Sequence, residues 1–275
     1  MTTTCKFSGA DLIERAEKCV ERLEYEAASK FLLKACELNP DSVDVLDLFG
    51  EVLVELGDHD KAYEVFSKSI SLKPDQNPAK WMNYAQLQVG MDAVHSYTKG
   101  LQLLIEEKTA CNVNYSADEQ RIKKTDEQIV SACCAMVERY TTDCCDEPQA
   151  ESECERLIAF ALSILPKSPE ALQTFTNLRM IQQRLDEAKE SLSKVLEFLA
   201  QQEQAELLPY SFRIETLKMC YELEQFEACA SLAEELLQEN DDELQVWYFA
   251  GMSYFKQTPP DFASASEYLT HTLKV

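Results

Sequence analysis

A thirty-four-residue repeat constrains this chain more than any other feature of its sequence. Leu12, Ala16, Cys19, Ala28, Leu32, Ala35 and the pair Asn39-Pro40 return as Leu46, Gly50, Leu53, Ala62, Phe66, Ser69 and Lys73-Pro74, each displaced by thirty-four positions. A further copy reads Leu172, Thr176, Arg179, Ala188, Leu192 and Val195. Small residues at Ala16 or Gly50 on a first helix, and at Ala28 or Ala62 on a second, let two antiparallel helices approach closely. Leu32 and Phe66 then fill the space between successive hairpins. Pro40 and Pro74 end the second helix, because proline cannot continue it. One hairpin alone cannot bury its apolar face, so the core has to come from stacking.

This spacing resembles the tetratricopeptide repeat, W-x2-L-G-x2-Y followed by A-x3-F and a proline. The stretch Trp247-Tyr248-Phe249-Ala250-Gly251-Met252-Ser253-Tyr254 is a close copy of its first part. The resemblance implies an all-α tetratricopeptide-repeat solenoid, a right-handed superhelix of about seven helical hairpins forming a single domain over residues 1–275. The hairpins are expected at 9–42, 43–76, 77–106, 126–166, 167–200, 208–241 and 242–275, with an insertion at about 109–125. Asn240-Asp241-Asp242 stands where the sixth would have its proline. Two hairpins depart from the period. From Ala85 to Ala93 the third is about one helical turn short, whereas Ala135 to Cys154 exceeds a repeat, implying a longer helix or a loop at Asp143–Gln149.

Composition removes several function classes. The six glycines are scattered singly, so no loop of the dinucleotide-binding or P-loop kind can form. With 26 basic against 49 acidic residues, the net charge of -23 repels phosphate backbones. Direct nucleic-acid binding is therefore not expected, and a basic protein is the natural partner. No run of about 18 apolar residues is present to cross a membrane. Met1–Ala10 shows no apolar signal core, which places the chain among reduced thiols in cytosol or nucleus, and the eleven cysteines read as free. Without a Lys/Arg cluster for import, it would reach the nucleus together with a partner.

Catalytic chemistry finds no foothold. His59, His95 and His271 lie near no candidate nucleophile, so no enzyme activity and no cofactor are expected. Cys133-Cys134, Cys144-Cys145 and Cys154 invite a metal. However, adjacent cysteines on a helix diverge by about 100°, unlike the C-x2-4-C of zinc sites. They read instead as small apolar residues in tight packing, and no metal is expected.

The first helices of the hairpins carry the features that point to binding. Asp44, Asp47, Glu51 and Glu55 form one stripe, with Ile13, Glu17 and Glu21 matching it in the preceding hairpin. Like charges at this spacing weaken a helix by tenths of a kcal/mol each. They form either a solvated outer face or the lining of the concave groove. Because Leu46, Gly50 and Leu53 take the packing positions, the carboxylates are expected to face the groove. The same register later brings Glu170, Gln173 and Asn177, then Tyr210, Arg213 and Tyr221, then Tyr248, Met252 and Phe255. These aromatic residues are either ligand anchors or inter-repeat core. As anchors they would suit an extended basic segment, since arginine pairs with carboxylates and stacks on rings. A clamp for acidic chaperone tails is opposed by sign, because Glu17, Asp47 and Glu51 stand where Lys and Asn donors would be needed.

Beyond the generic repeat, particular passages resemble the dedicated assembly chaperones of the large-subunit ribosomal protein L-four. They are Lys80-Trp81-Met82-Asn83-Tyr84-Ala85-Gln86-Leu87, the linker from Tyr140-Thr141-Thr142-Asp143-Cys144 to Glu147-Pro148-Gln149-Ala150-Glu151, Cys154-Glu155-Arg156-Leu157, and Pro169-Glu170-Ala171-Leu172-Gln173-Thr174. Pro209-Tyr210-Ser211-Phe212-Arg213 and Asp241-Asp242-Glu243 leading to Trp247-Tyr248 are similar too. The resemblance implies a binding protein without catalysis, which shields the basic extended loop of newly made L-four and accompanies it from cytoplasm to nuclear pre-60S particles. Its partner would be L-four in a one-to-one complex, with no membrane involved. A tetratricopeptide-repeat scaffold subunit of another multiprotein complex is the alternative.

Overall fold

The computed structural model describes residues 8–113, 119–201 and 207–273, which are helices joined by short turns with no strand among the described residues. The chain divides into two compact units, Met1–Leu157 and Ile158–Val275.

The first unit contains α1 (Gly9–Val20), α2 (Tyr25–Leu38), α3 (Val43–Glu55), α4 (His59–Leu72), α5 (Pro78–Gln86), α6 (Gly90–Val113), α7 (Glu119–Thr141) and the start of α8 (Ala150–Ile164). Ser8 opens α1 with a capping box: its hydroxyl accepts from the Asp11 backbone N–H at 3.2 Å, and Asp11 accepts from that of Ser8 at 2.9 Å. The core of α1 to α4 is built from the repeat residues themselves, with Leu12, Ala16, Ala28, Leu32, Phe49, Leu53, Ala62 and Phe66 all buried together. At Gly50 the approach is closest: a Cβ built there would lie 2.5 Å from Phe66 Cζ.

The turn inside a hairpin repeats as faithfully as the core. Gly57 has φ 73°. Its N–H donates to the Val54 carbonyl and that of Asp58 to the Leu53 carbonyl, both at 2.9 Å, which ends α3 in a Schellman turn. Leu23, thirty-four residues earlier, holds φ 58° with the same pair of bonds to Val20 and Cys19, and Gln183 and Glu224 repeat it in the second unit. Two bonds per turn thus hold three non-glycine residues in a left-handed conformation that costs about 1–2 kcal/mol. The second helices end on extended residues, Asn39, Lys73 and Asn240. Proline follows the first two, as the restriction on a pre-proline residue requires, while Asn240 ends its helix without one.

The irregular middle differs in form from a regular repeat. α5 has 9 residues where α3 has 13, whereas α6 and α7 run to 24 and 23. Of the stretch 109–125, residues 109–113 finish α6 and residues 119–125 begin α7; 114–118 lie outside the described residues. Lys108 to Asp126 and Arg121 to Glu107, both at 2.5 Å, tie the two long helices together. The eight residues between α7 and α8 form a turn, anchored where Asp143 accepts from Arg139 at 3.1 Å and from the Gly90 N–H at 3.4 Å.

The second unit contains the end of α8 and then α9 (Pro169–Ile181), α10 (Leu185–Ala200), α11 (Tyr210–Glu222), α12 (Phe226–Glu239), α13 (Leu244–Lys256) and α14 (Phe262–Thr272). Ser168 caps α9 through the Ala171 N–H at 3.3 Å, and Asp261 caps α14 through Ala263 at 3.1 Å. Its core joins Leu192, Leu217, Cys220, Leu223, Cys229, Leu232, Leu236, Val246 and Ala250. Cysteine here works as a small core residue. Burial pushes the thiol pKa of Cys229 up to about 11, and those of Cys133 and Cys154 in the first unit up to about 12 and about 11. All three stay protonated at neutral pH, which makes them poor metal ligands. No group of three His, Cys, Asp or Glu side chains suited to a metal occurs among the described residues.

Candidate partner-binding surface

The acidic stripe on α3 is not uniform. Asp44 and Glu55 are exposed and Glu51 is partly covered, but Asp47 is only 5% exposed. Asp47 accepts from the Ser69 hydroxyl of α4 and, at 2.7 Å, from the Asn77 amide that caps α5. Lys80, fully buried on α5, donates to the Lys73 carbonyl at 2.6 Å and to Ser69 Oγ at 3.4 Å. Burial lowers the Lys80 pKa, while the negative charge of Asp47 opposes that shift. Asp47 is therefore bonded to Ser69 and Asn77 inside the protein, with the Lys80 charge linked to it through Ser69, which corrects its expected place in the groove. The cause is geometric: at about 100° per residue, Asp47 lies some 60° round α3 from Asp44, on the side that α5 covers.

Glu51 is held by the same environment. Its pKa is raised first by burial and then by the Asp47 charge. A carboxyl raised on folding contributes stability below its unfolded pKa and loses it as pH rises through the folded value. At neutral pH the charged Glu51 is thus a burden. Glu51→Gln is expected to stabilise the chain at pH 7 by up to about 1 kcal/mol. In urea unfolding the gain should vanish at a pH below the ordinary glutamate value, where both side chains are neutral.

Glu17 and Glu21 are exposed at the end of α1, and Ile13 packs into the core below them. Of the six carboxylates expected on the groove face, five, Glu17, Glu21, Asp44, Glu51 and Glu55, are reachable from solvent.

In the second unit the expected residues separate into scaffold and surface. Gln173 spends its amide on the Phe212 carbonyl at 2.9 Å and Thr216 at 2.7 Å, tying α9 to α11. Arg213 is buried, bonding Glu239 at 2.5 Å and the Leu208 carbonyl at 3.0 Å, so it does not line a groove. Tyr210 packs against the core with its hydroxyl buried, and Tyr221 packs between Phe226 and Phe249. Lys256 sits 4.6 Å over the Tyr221 ring. Asn177 is exposed, Tyr248 is 46% exposed, and Phe255 is 50% exposed against Phe262. Of the two readings of the aromatics, core describes Tyr210 and Tyr221, while Tyr248 and Phe255 remain open surface. Phe262 escaped the sequence reading because it lies beyond the register followed along the first helices. A lysine inside Lys80-Trp81-Met82 gives no sign in the sequence that it is buried.

A tetratricopeptide-repeat family model matches residues 43–76, the α3–α4 hairpin. Over 255 residues the chain is 33% identical to a Schizosaccharomyces pombe protein named "Probable assembly chaperone of rpl4", covering 90% of this chain and 73% of that one. The chain belongs to this family. An Emericella nidulans member of the rpl4 assembly chaperones is 27% identical over 256 residues, 87% of this chain and 63% of its own length. A solved structure of a family member, "Assembly Chaperone of RpL4 (Acl4) (Residues 1-338)", superposes with a TM-score of 0.84 at 27% identity, covering 91% of this chain and 96% of that one. The α-helical repeat fold is thus that of the rpl4 assembly chaperones, proteins that bind rather than catalyse. No helix among the described residues is long and apolar enough to cross a membrane.

Proposed function

We propose that this chain is a dedicated chaperone of ribosomal protein L-four, binding and shielding the newly made protein until it joins pre-60S particles. The observation that carries the reading is the 33% identity, over 90% of the chain, to a named assembly chaperone of rpl4. Charge supports it, since a net charge of -23 suits a basic cargo. In the first unit, Glu17, Glu21, Asp44, Glu51 and Glu55 neutralise Lys and Arg side chains of the basic extended loop of L-four, and in the second unit Tyr248 and Phe255 serve as apolar anchors. One exposed ion pair is worth only about 0.2–1 kcal/mol, so affinity has to come from many pairs plus a few anchors. Ribosomal RNA, with denser charge, displaces the chaperone at delivery. One chaperone binds one L-four, in cytoplasm and nucleus, and is carried into the nucleus with its cargo.

Co-expression tests the reading. L-four made with this chain is expected to stay soluble in a one-to-one complex, and L-four lacking its basic internal loop is expected to lose the complex. L-four that precipitates equally with and without the chain would instead favour a scaffold role in another assembly.

A further inference from the structure

The second unit carries another feature, built around α12. Glu234, Leu237 and Gln238 form one face of α12, and together with Asp241, Trp247 and Tyr268 they line a shallow cavity of about 510 Å³. Three of its lining residues come from α12, and one each from the following turn, from α13 and from α14. Tyr248 follows Trp247 directly on α13 and so points about 100° away from it. The cavity is built rather than incidental. Trp247 is fixed on both sides, its Nε1–H donating to the Asp241 carbonyl at 2.8 Å and one ring face stacking on His271 at 3.8 Å. Tyr268 stands 5.5 Å from Trp247 and stacks on Tyr254 on its other side at 5.6 Å. Both tyrosines donate their hydroxyls to one oxygen of Glu234, Tyr268 at 3.1 Å. Glu234 is thereby held as an oriented carboxylate beside an aromatic wall, and neither it nor Asp241 has an ion-pair partner among the described residues.

The same unit shows what such a combination holds. Arg179 lies 4.3 Å over the Phe175 ring and pairs with Glu187 at 2.9 Å. Arg213 lies 5.6 Å from the Tyr210 ring and pairs with Glu239 at 2.5 Å. In each, one guanidinium meets an aromatic face and a glutamate from the following helix. At Trp247, Tyr268 and Glu234 the ring and the carboxylate are present without the cation. We infer that this cavity is a binding site for an arginine side chain of a basic polypeptide partner, stacked on the aromatic wall and paired with Glu234. Guanidinium suits it better than ammonium, because the planar group can stack and bond the carboxylate at once.

The inference rests on the proposed function only for the source of the arginine, so its test uses arginine amide and the whole chain without L-four. The two tryptophan indole N–H signals are followed by NMR, Trp247 as reporter and Trp81, in the other unit, as reference. A saturable shift of the Trp247 signal in the millimolar range is expected with arginine amide, with Trp81 unmoved. Citrulline amide, which keeps the α-amino group but replaces the guanidinium by a neutral ureido group of the same shape, should bind at least about tenfold more weakly. Glu234→Gln, which keeps an acceptor for both tyrosines, should weaken arginine binding to a similar degree. The comparison of arginine with citrulline on the unaltered chain stands even where that variant fails to fold. No saturable shift at Trp247, an equal shift with citrulline amide, or a matching shift at Trp81 would overturn the assignment. Loss of L-four binding with an intact arginine titration would count against the chaperone reading alone.

Discussion

Asp47→Ala is expected to cost about 3–5 kcal/mol of stability, because it leaves the buried Lys80 ammonium without the carboxylate that offsets its desolvation. Ser69 and Asn77 lose their acceptor at the same time. Lys80→Met should cost less, about 1–3 kcal/mol, since Asp47 keeps both of its hydrogen-bond donors while the Lys73 carbonyl loses one. Made together, the two changes should destabilise by less than their sum, as coupled neighbours do. Glu55→Ala, on the exposed end of the same stripe, should lie within about 0.5 kcal/mol of the parent chain. Urea unfolding of the four variants decides the matter. An Asp47→Ala cost equal to that of Glu55→Ala would return Asp47 to the surface. A charge reversal at Asp47 is accordingly a poor probe of partner binding, for it unfolds α3 to α5 before it tests any contact.

Gly50→Ala sets two effects against each other. Alanine gains up to about 1 kcal/mol over glycine inside a helix. The added Cβ, however, would meet Phe66 Cζ, Cε1 and Cε2 at 2.5, 2.6 and 2.8 Å, and Phe66 is fully buried with nowhere to retreat. Overpacking should win, for a net loss of about 1–3 kcal/mol. Phe66→Leu in the same chain should recover part of that loss by opening the space. Gly9→Ala is the control: nothing lies within 4 Å of a Cβ there, so the propensity gain stands alone and stability should not fall. Calorimetry on these variants tests whether the small residue at this repeat position exists for helix approach, as its period implies. A Gly50→Ala chain at least as stable as the parent would contradict that explanation.

Sequence reading went furthest where one residue has one task. Ala16, Ala28, Gly50, Ala62, Leu32 and Phe66 pack as their spacing implies, because close helix approach leaves no other use for them. It failed where exposure depends on a neighbour outside the repeat. Asp47 and Asp44 look alike in one helix, and the Ser69 hydroxyl, the Asn77 amide and the buried Lys80 around Asp47 separate them. The aromatics stayed ambiguous because a ring at these positions can serve either the core or a ligand: Tyr221 fills space between Phe226 and Phe249, whereas Tyr248, on the first helix of the next hairpin, stays open. The left-handed residues Leu23, Gln183 and Glu224 gave no local signal, since repeated Schellman bonds impose that conformation rather than the side chain.

The most direct test of the account is the affinity of this chain for a labelled basic loop of L-four, measured at low and high salt. The parent is compared with a Glu17→Lys, Asp44→Lys, Glu55→Lys variant, in which only exposed carboxylates are altered. Three reversed contacts should weaken binding by about tenfold or more and flatten its dependence on salt, with folding unchanged. Equal affinity and an equal salt response in the two folded proteins would show that the cargo is held elsewhere.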